Sequence, residues 1–305
     1  MREAMVMSAS GDERRERILH EVMAHGKATV TGLSELLGVT TETIRKDLVT
    51  LGERNVISKR HGFVTLATPM PERDYSEKGE SLHLAEKTAI AERAARLTPQ
   101  DAAVFLDTST TVLCLASLLA LRSDLTVITN SIDVCQALAR SGSKILVTGG
   151  LYRTKSNSCV GSWALRSMES VNVDVAFLGC DGFSPEGPTI RSYQEVEFKR
   201  MVARRAKRTV LLADTSKLGN TGLYTFANYA DFSLMIFERE LNVGERKVLP
   251  KNVRCSLGGK RTGLHVQGHH AVWVQATSGP LRALQQVRLI CAVPSKGGFG
   301  TSHTR

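Results

Sequence analysis

Five short stretches combine acids, hydroxyls, lysine and glycine in a way that suits a small polar ligand. They are Asp107-Thr108-Ser109-Thr110-Thr111, Asn130, Gly149-Gly150, Gly179-Cys180-Asp181-Gly182 and Asp214-Thr215-Ser216-Lys217. Each follows an apolar run of strand length. Hydroxyls and backbone N–H groups where a helix opens suit an anion. Ser and Thr also cap helices for structural reasons alone, so the first stretch decides nothing by itself. Five such loops at the ends of strands are harder to explain by capping, because open α/β sheets bind ligands at their C-terminal edge. The same residue types could move protons: Asp181, Glu195 and Lys217 are groups that an isomerase would need. Hydrogen bonding to a polyol explains them equally well.

A second constellation lies near the N-terminus. Ile44, Leu48 and Leu51 recur at i, i+4 and i+7, the spacing of a buried helical stripe. That leaves Thr41, Glu42, Arg45 and Lys46 on the outer, N-terminal part of the same helix. Arg45 could hold a guanine edge in a bidentate way, a contact worth roughly 1–3 kcal/mol of discrimination. Lys46, Lys59 and Arg60 suit phosphates, which position a protein without specifying sequence. A small helical bundle with a solvated charged face fits the charge count as well. Residues 43–61 hold five basic side chains against Asp47 and Glu53.

The order of elements favours DNA. A helix over 12–25 ends at Gly26. Thr31 is expected to cap a second helix with Leu33, Leu36 and Leu37 on one face, and Gly38 supplies the next turn. Thr40 caps the third helix. Two strands, 56–60 and 63–67, join through His61-Gly62. Helix, turn, helix and β-ribbon describe a winged helix-turn-helix over 12–68, whose second motif helix enters the major groove. Residues 69–80, with Pro69, Pro71 and many charges, read as a linker. From 81 to 257 strand-like runs (103–106, 125–129, 144–148, 173–178, 209–213 and a weaker 233–237) alternate with helical patterns (86–97, 111–121, 132–141, 162–171, 194–206). This alternation predicts a parallel α/β sheet.

Bulk composition excludes more than it identifies. The net charge of +10 permits a nucleic-acid partner. The segment 258–305, however, carries six basic residues and no acid, and the rest of the chain is close to balance. That segment shows no clear alternation and is expected to be poorly ordered. Six scattered cysteines with no C-x-x-C predict neither a metal site nor a disulfide framework, and no cofactor is expected. The longest apolar run, 111–121, is too short for a bilayer span of about 20 residues. No signal-peptide core is visible, so a cytoplasmic protein is expected.

Two motifs carry a resemblance. Val39-Thr40-Thr41-Glu42-Thr43-Ile44-Arg45-Lys46-Asp47-Leu48 resembles the V-S-x-x-T-I-R-R-D-L motif of the DeoR-type bacterial repressors, and Ile57-Ser58-Lys59-Arg60-His61-Gly62 resembles their wing. Lys46 replaces the commoner Arg, Asn55 a Gly, and Phe63 the second wing Gly. Further on, Glu86-Lys87-x-x-Ile90-Ala91, Asp107–Thr111 (with Ser109 for Gly), Thr129-Asn130-Ser131, Gly149-Gly150, Asp214-x-Ser216-Lys217 and Glu195-x-x-x-Lys199 are similar to the family's landmarks. The resemblance spans about residues 12–257. It implies DNA contacts from Thr41, Glu42, Thr43, Arg45, Lys46, Lys59, Arg60 and His61. It also implies an effector domain similar to ribose-5-phosphate isomerase. Thr108, Ser109, Thr110, Thr111 and Lys217 would hold a sugar phosphate there, and Asp181, Glu195 and Lys199 its hydroxyls. The expected protein is a sugar-phosphate-responsive repressor of a carbohydrate operon, not an enzyme. It would work as a dimer or tetramer on double-stranded operator DNA, with no membrane partner. An isomerase, deaminase or lactonase with an accessory N-terminal domain is the rival.

Overall fold

The computed structural model describes residues 10–54, 56–60, 62–67 and 83–257. The expected linker (69–80), His61, Asn55 and the basic segment (258–305) lie outside them, as does the side chain of Arg60. The N-terminal part is a winged helix-turn-helix. Helix α1 (Gly11–His25) opens with a capping box between Ser10 and Glu13. Strand β1 (Ala28–Thr29) leads to α2 (Val30–Leu37), and α3 (Thr41–Glu53) follows. The turn between α2 and α3 needs Gly38, whose φ of +65° is left-handed. Strands β2 (Ile57–Arg60) and β3 (Phe63–Leu66) pair antiparallel, and β1 adds to β3.

Two expectations for α2 are corrected. Thr29, not Thr31, is its N-cap, accepting from the Gly32 N–H at 3.0 Å. Thr29 ends a strand and is therefore extended, the backbone state an N-cap requires. Leu36 does not join the buried face. Leu33 is buried and Leu37 partly so, whereas Leu36 is half exposed. One buried stripe at i, i+4 suffices for so short a helix.

The rest is a doubly wound α/β unit. Its elements are α4 (Leu84–Leu97), β4 (Ala103–Leu106), α5 (Thr110–Leu119), β5 (Thr126–Thr129), α6 (Ile132–Leu138), β6 (Lys144–Val147), β7 (Leu151–Arg153), β8 (Ser158–Val160), α7 (Ser162–Glu169), β9 (Val173–Gly179), β10 (Gly182–Phe183), β11 (Pro188–Ile190), α8 (Tyr193–Arg205), β12 (Ala206–Leu212), β13 (Tyr224–Thr225), β14 (Leu234–Phe237), α9 (Val243–Arg246) and β15 (Cys255–Leu257). Seven strands form one sheet in the order β15-β14-β12-β9-β4-β5-β6, and every pairing is parallel. The β7/β8 hairpin, the small β10-β11-β13 sheet and β15 were not expected from the sequence. Their strands are two or three residues long, too short to show a period.

Alternation along the strands explains why they read as solid apolar runs. Val104, Leu106, Val127, Val175, Phe177, Val210 and Leu212 face one layer, shared with α4, α5 and α6. Phe105, Ile128, Ala176, Leu178 and Leu211 face the other, with α7 and α8. A parallel sheet covered on both sides needs apolar residues at both phases. The chain leaves β4 first toward β5 and β6, then returns to β9, β12 and β14. The β4/β9 boundary is therefore the topological switch point. The helix-turn-helix and the sheet belong to one compact unit, and Ile18, Leu19 and Val22 of α1 belong to the same apolar cluster as Ile90 and Ala94 of α4.

Candidate functional site

Helix α3 is positioned by its buried face. Ile44, Leu48 and Leu51 are buried, as is Asp47. Asp47, one of the two acids in the charge count of residues 43–61, is only 3% exposed. Its carboxylate takes Arg14 Nε at 2.5 Å and Arg15 Nη1 at 3.2 Å, which ties α3 to α1. Thr40 Oγ1 caps the helix, accepting from the Thr43 N–H at 3.2 Å, and meets the Thr43 hydroxyl at 2.9 Å. Thr41 and Thr43 are half-buried. Glu42, Arg45, Lys46 and Val49 form the exposed stripe. Arg45 lies 3.5 Å from Glu42, a pair exposed enough to open for a stronger partner. Val49, half exposed on this face, was missed. Its i+4 spacing from Arg45 was the available signal. On the wing, Lys59 is exposed. Phe63, in register with Arg60, carries the Lys27 ammonium 4.9 Å from its ring centre. Lys27 lies far from the wing in sequence, and only the β1–β3 pairing brings it there.

The five polar loops all emerge at the C-terminal edge of the sheet. Around the switch point, Asp107 and Lys199 are both buried and form an ion pair. The Asp107 carboxylate also accepts the Gly179 N–H at 2.9 Å, and Lys199 donates to the Gly179 carbonyl at 3.0 Å. Burial alone would pull the Lys199 ammonium down. The carboxylates of Asp107, Glu195 and Asp181 outweigh it and hold its pKa above the ordinary lysine value. These two groups brace β4, β9 and α8 from below. Asp181 accepts the Arg191 N–H at 2.8 Å, and Glu195 pairs with Arg153, which also reaches Ser192 Oγ at 2.8 Å. Arg153 was not foreseen; it sits on β7, outside any loop motif. Burial pushes the Cys180 thiol up to about 12.

Ser109, where a glycine was the commoner residue, takes an ordinary extended backbone (φ −74°) and caps α5 through the Val112 N–H at 3.2 Å. The glycine requirement has moved across the sheet. A Cβ on Gly179 would lie 2.3 Å from the Ser109 Cβ. Gly150 and Gly182 are likewise pressed against the carbonyls of Val160 and Asn220, so they shape their loops by close approach. Thr108 and Thr110 are half-buried and Thr111 is buried, while Gly149 continues the turn after β6.

Just past the end of β12, Asp214 is buried and turns Oδ1 to the Ser216 N–H at 3.1 Å, whereas Oδ2 has no partner among the described residues. Lys217 is half-buried and makes no ion pair among the described residues. On the far side, Asn130 donates Nδ2 to the Cys159 carbonyl at 3.0 Å and leaves Oδ1 unpartnered. A buried acceptor with no donor costs roughly 1–3 kcal/mol. The order of strands puts β12 and β5 three spacings apart, about 14 Å. Among the described residues no cluster of three metal-ligating side chains occurs, and no helix is long and apolar enough to cross a membrane.

Comparison with known proteins agrees with both halves. Residues 14–69 match the DeoR-like helix-turn-helix domain, and residues 82–239 match the DeoR C terminal sensor domain. The HTH-type transcriptional repressor GlcR of Bacillus subtilis is 34% identical over 244 residues, 79% of this chain and 93% of its own length. The HTH-type transcriptional regulator GlpR of Haloferax volcanii is 32% identical over 237 residues, 77% of this chain and 92% of its own. Among solved structures, ribose 5-phosphate isomerase A of Methanocaldococcus jannaschii aligns at 17% identity with a TM-score of 0.32, over 43% of this chain. The alignment spans about half of that enzyme, 52% of its chain.

Proposed function

Because the chain belongs to the DeoR family of helix-turn-helix transcriptional regulators, we propose that it is a repressor of a carbohydrate operon released by a phosphorylated sugar. The observation that carries the ligand half is the unsatisfied polar edge of the sheet: Asp214 Oδ2, near Lys217 in the chain, and Asn130 Oδ1, on the other side of the switch point, are buried acceptors without a partner among the described residues. Sugar hydroxyls supply such donors, and a phosphate suits Lys217 with the hydroxyls and N–H groups of Thr108, Ser109, Thr110 and Thr111. Asp107 and Lys199 then act as a brace beneath the ligand, and Asp181, Glu195 and Gly149-Gly150 shape its surround.

On the DNA side Arg45 reads a base edge and Lys46, Lys59, Arg60 and His61 hold phosphates, with Glu42 and the two threonines at the helix start. Val49 is added to that set as an apolar contact for a thymine methyl. The protein acts in the cytoplasm as a dimer or tetramer, since paired half-sites need paired heads. Exposed Leu146, Val147, Leu151, Tyr152 and Trp163, along the edge strand β6 and its neighbours, offer a surface for a second copy.

A catalytic role is disfavoured by chemistry. Lys199 is held protonated, Glu195 is neutralised by Arg153, and Asp181 is engaged by a backbone donor. These three groups are therefore engaged before a substrate could use them for proton transfer. A gel shift of the chain on its own upstream DNA, with and without a panel of sugar phosphates, tests the proposal. A shift that one panel member abolishes is expected. Absence of any shift, or turnover of ribose 5-phosphate at an enzymatic rate of roughly 1–10³ s⁻¹, overturns it.

A further inference from the structure

Helices α5 and α6 both start at ligand loops and both end against the last turn of the reading helix α3. Helix α5 begins at the Ser109 cap and runs ten residues, about 15 Å. Just past its end, the Leu121 carbonyl accepts Arg54 Nη1 at 2.9 Å. Helix α6 begins at Ser131, next to Asn130, and beyond its end Arg140 Nη1 donates to the Glu53 carbonyl at 3.4 Å. Glu53 is the last residue of α3 and Arg54 its C-cap. Two arginines on opposite partners thus clamp one point, and each sits where a helix C-terminus leaves carbonyls unpaired and favours a cation.

Of the two rods, α5 is the stiffer. In α5 the side chains from Thr111 to Ser117 and Leu119 are buried, so it is gripped on nearly every face. A close-packed element of this kind moves as a body rather than bending. Any displacement that an anion causes at Ser109 therefore arrives at Leu121. Resting on the sugar-phosphate reading for its physiological trigger, we propose that Arg54, seconded by Arg140, is the positioning residue that transmits the state of the ligand loops to the reading helix. The device needs no contact between ligand and DNA-binding face.

The test uses the full chain and neither ligand nor DNA, so it is independent of whether the sugar-phosphate reading holds. Ser109→Gly removes the α5 cap and perturbs the loop end of the rod. Hydrogen–deuterium exchange is read at the amides of residues 50–54. With Arg54 and Arg140 present, Ser109→Gly should speed exchange there by about fivefold. With Arg54→Ala and Arg140→Ala together, the same substitution should change it by less than about twofold, the signature of coupled sites. Arg54→Lys, which keeps a donor and a cation, should restore most of the effect. Melting curves identify any variant that fails to fold, and in that case Arg54→Gln replaces Arg54→Ala in the cycle. Equal increments in both backgrounds, or none with the clamp intact, overturn the proposal. A merely structural Arg54 would change the baseline but not the increment.

Discussion

Arg45 and Lys59 differ in what they can read, although both are exposed cations. Arg45 stands on the exposed face of α3, proposed to enter the major groove, and Lys59 on the wing. Arg45→Ala should relax base preference at one position by roughly 1–3 kcal/mol, and Lys59→Ala should weaken binding to all sequences and lower the salt slope by about one unit. Fluorescence anisotropy on a set of single-base operator variants separates the two, and identical profiles would mean the reading helix is misplaced. Deeper in, Lys199→Ala would strand the buried Asp107 carboxylate. A loss of about 3–5 kcal/mol is expected in urea denaturation; a loss under about 1 kcal/mol would show that the pair is not a brace. Asp124 offers a pH test. Side-chain hydrogen bonds from Arg122 (Nε to Oδ1 at 2.9 Å), with the Asp101 N–H at 2.9 Å, hold its carboxyl well below the usual carboxylate range. A depressed folded pKa adds stability that is fully present above the unfolded value of about 4 and lost as pH falls through the folded value. The melting difference between the wild type and Asp124→Asn should stay level from about pH 5 to 8 and shrink below about pH 4. A difference that does not narrow in acid would rule the pair out.

At the scale of elements, the start of α5 and the end of β9 are fitted to each other. Ser109 occupies the space that a side chain on Gly179 would need. Gly179→Ala should cost about 1–3 kcal/mol through overpacking. Adding Ser109→Gly removes the two clashing atoms and should return part of that loss in thermal melts. No rescue would place the strain elsewhere. The loop motif and its helix are thus one packing unit with β9, which explains how a serine is accommodated where a glycine was the commoner residue.

For the whole molecule, α1 joins the two halves. Its Ile18, Leu19 and Val22 pack in the core shared with α4, and His20 Nε2 lies 3.1 Å from Glu92. A head seated on its sensor in this way gives the two heads of the proposed dimer a defined spacing when no ligand is bound. Footprinting should show two half-sites a whole number of turns apart, about 10–10.5 base pairs each. Sedimentation should show a dimer or larger species, which Leu146→Lys at the open sheet edge should weaken. A monomer protecting a single half-site would contradict the proposed assembly.

Local chemistry is what the amino-acid sequence determines unaided here. The stripe Ile44, Leu48 and Leu51 orients α3, the Thr40 cap starts it, and apolar runs ending in polar loops declare a parallel sheet with a polar C-terminal edge. Those signals are short-range, set by backbone period and by which groups water rejects. The tertiary structure alone decided which of the polar residues are available. Asp47 enters the sequence reading only as a charge and Asp107 as a loop residue suited to a ligand, yet both are buried against arginine or lysine, because residues more than thirty positions away fold over them. Asp214 and Asn130 keep unpartnered oxygens for the converse reason, since no donor among the described residues reaches them. Pairing across such separations depends on packing, and no spacing rule within the chain encodes it.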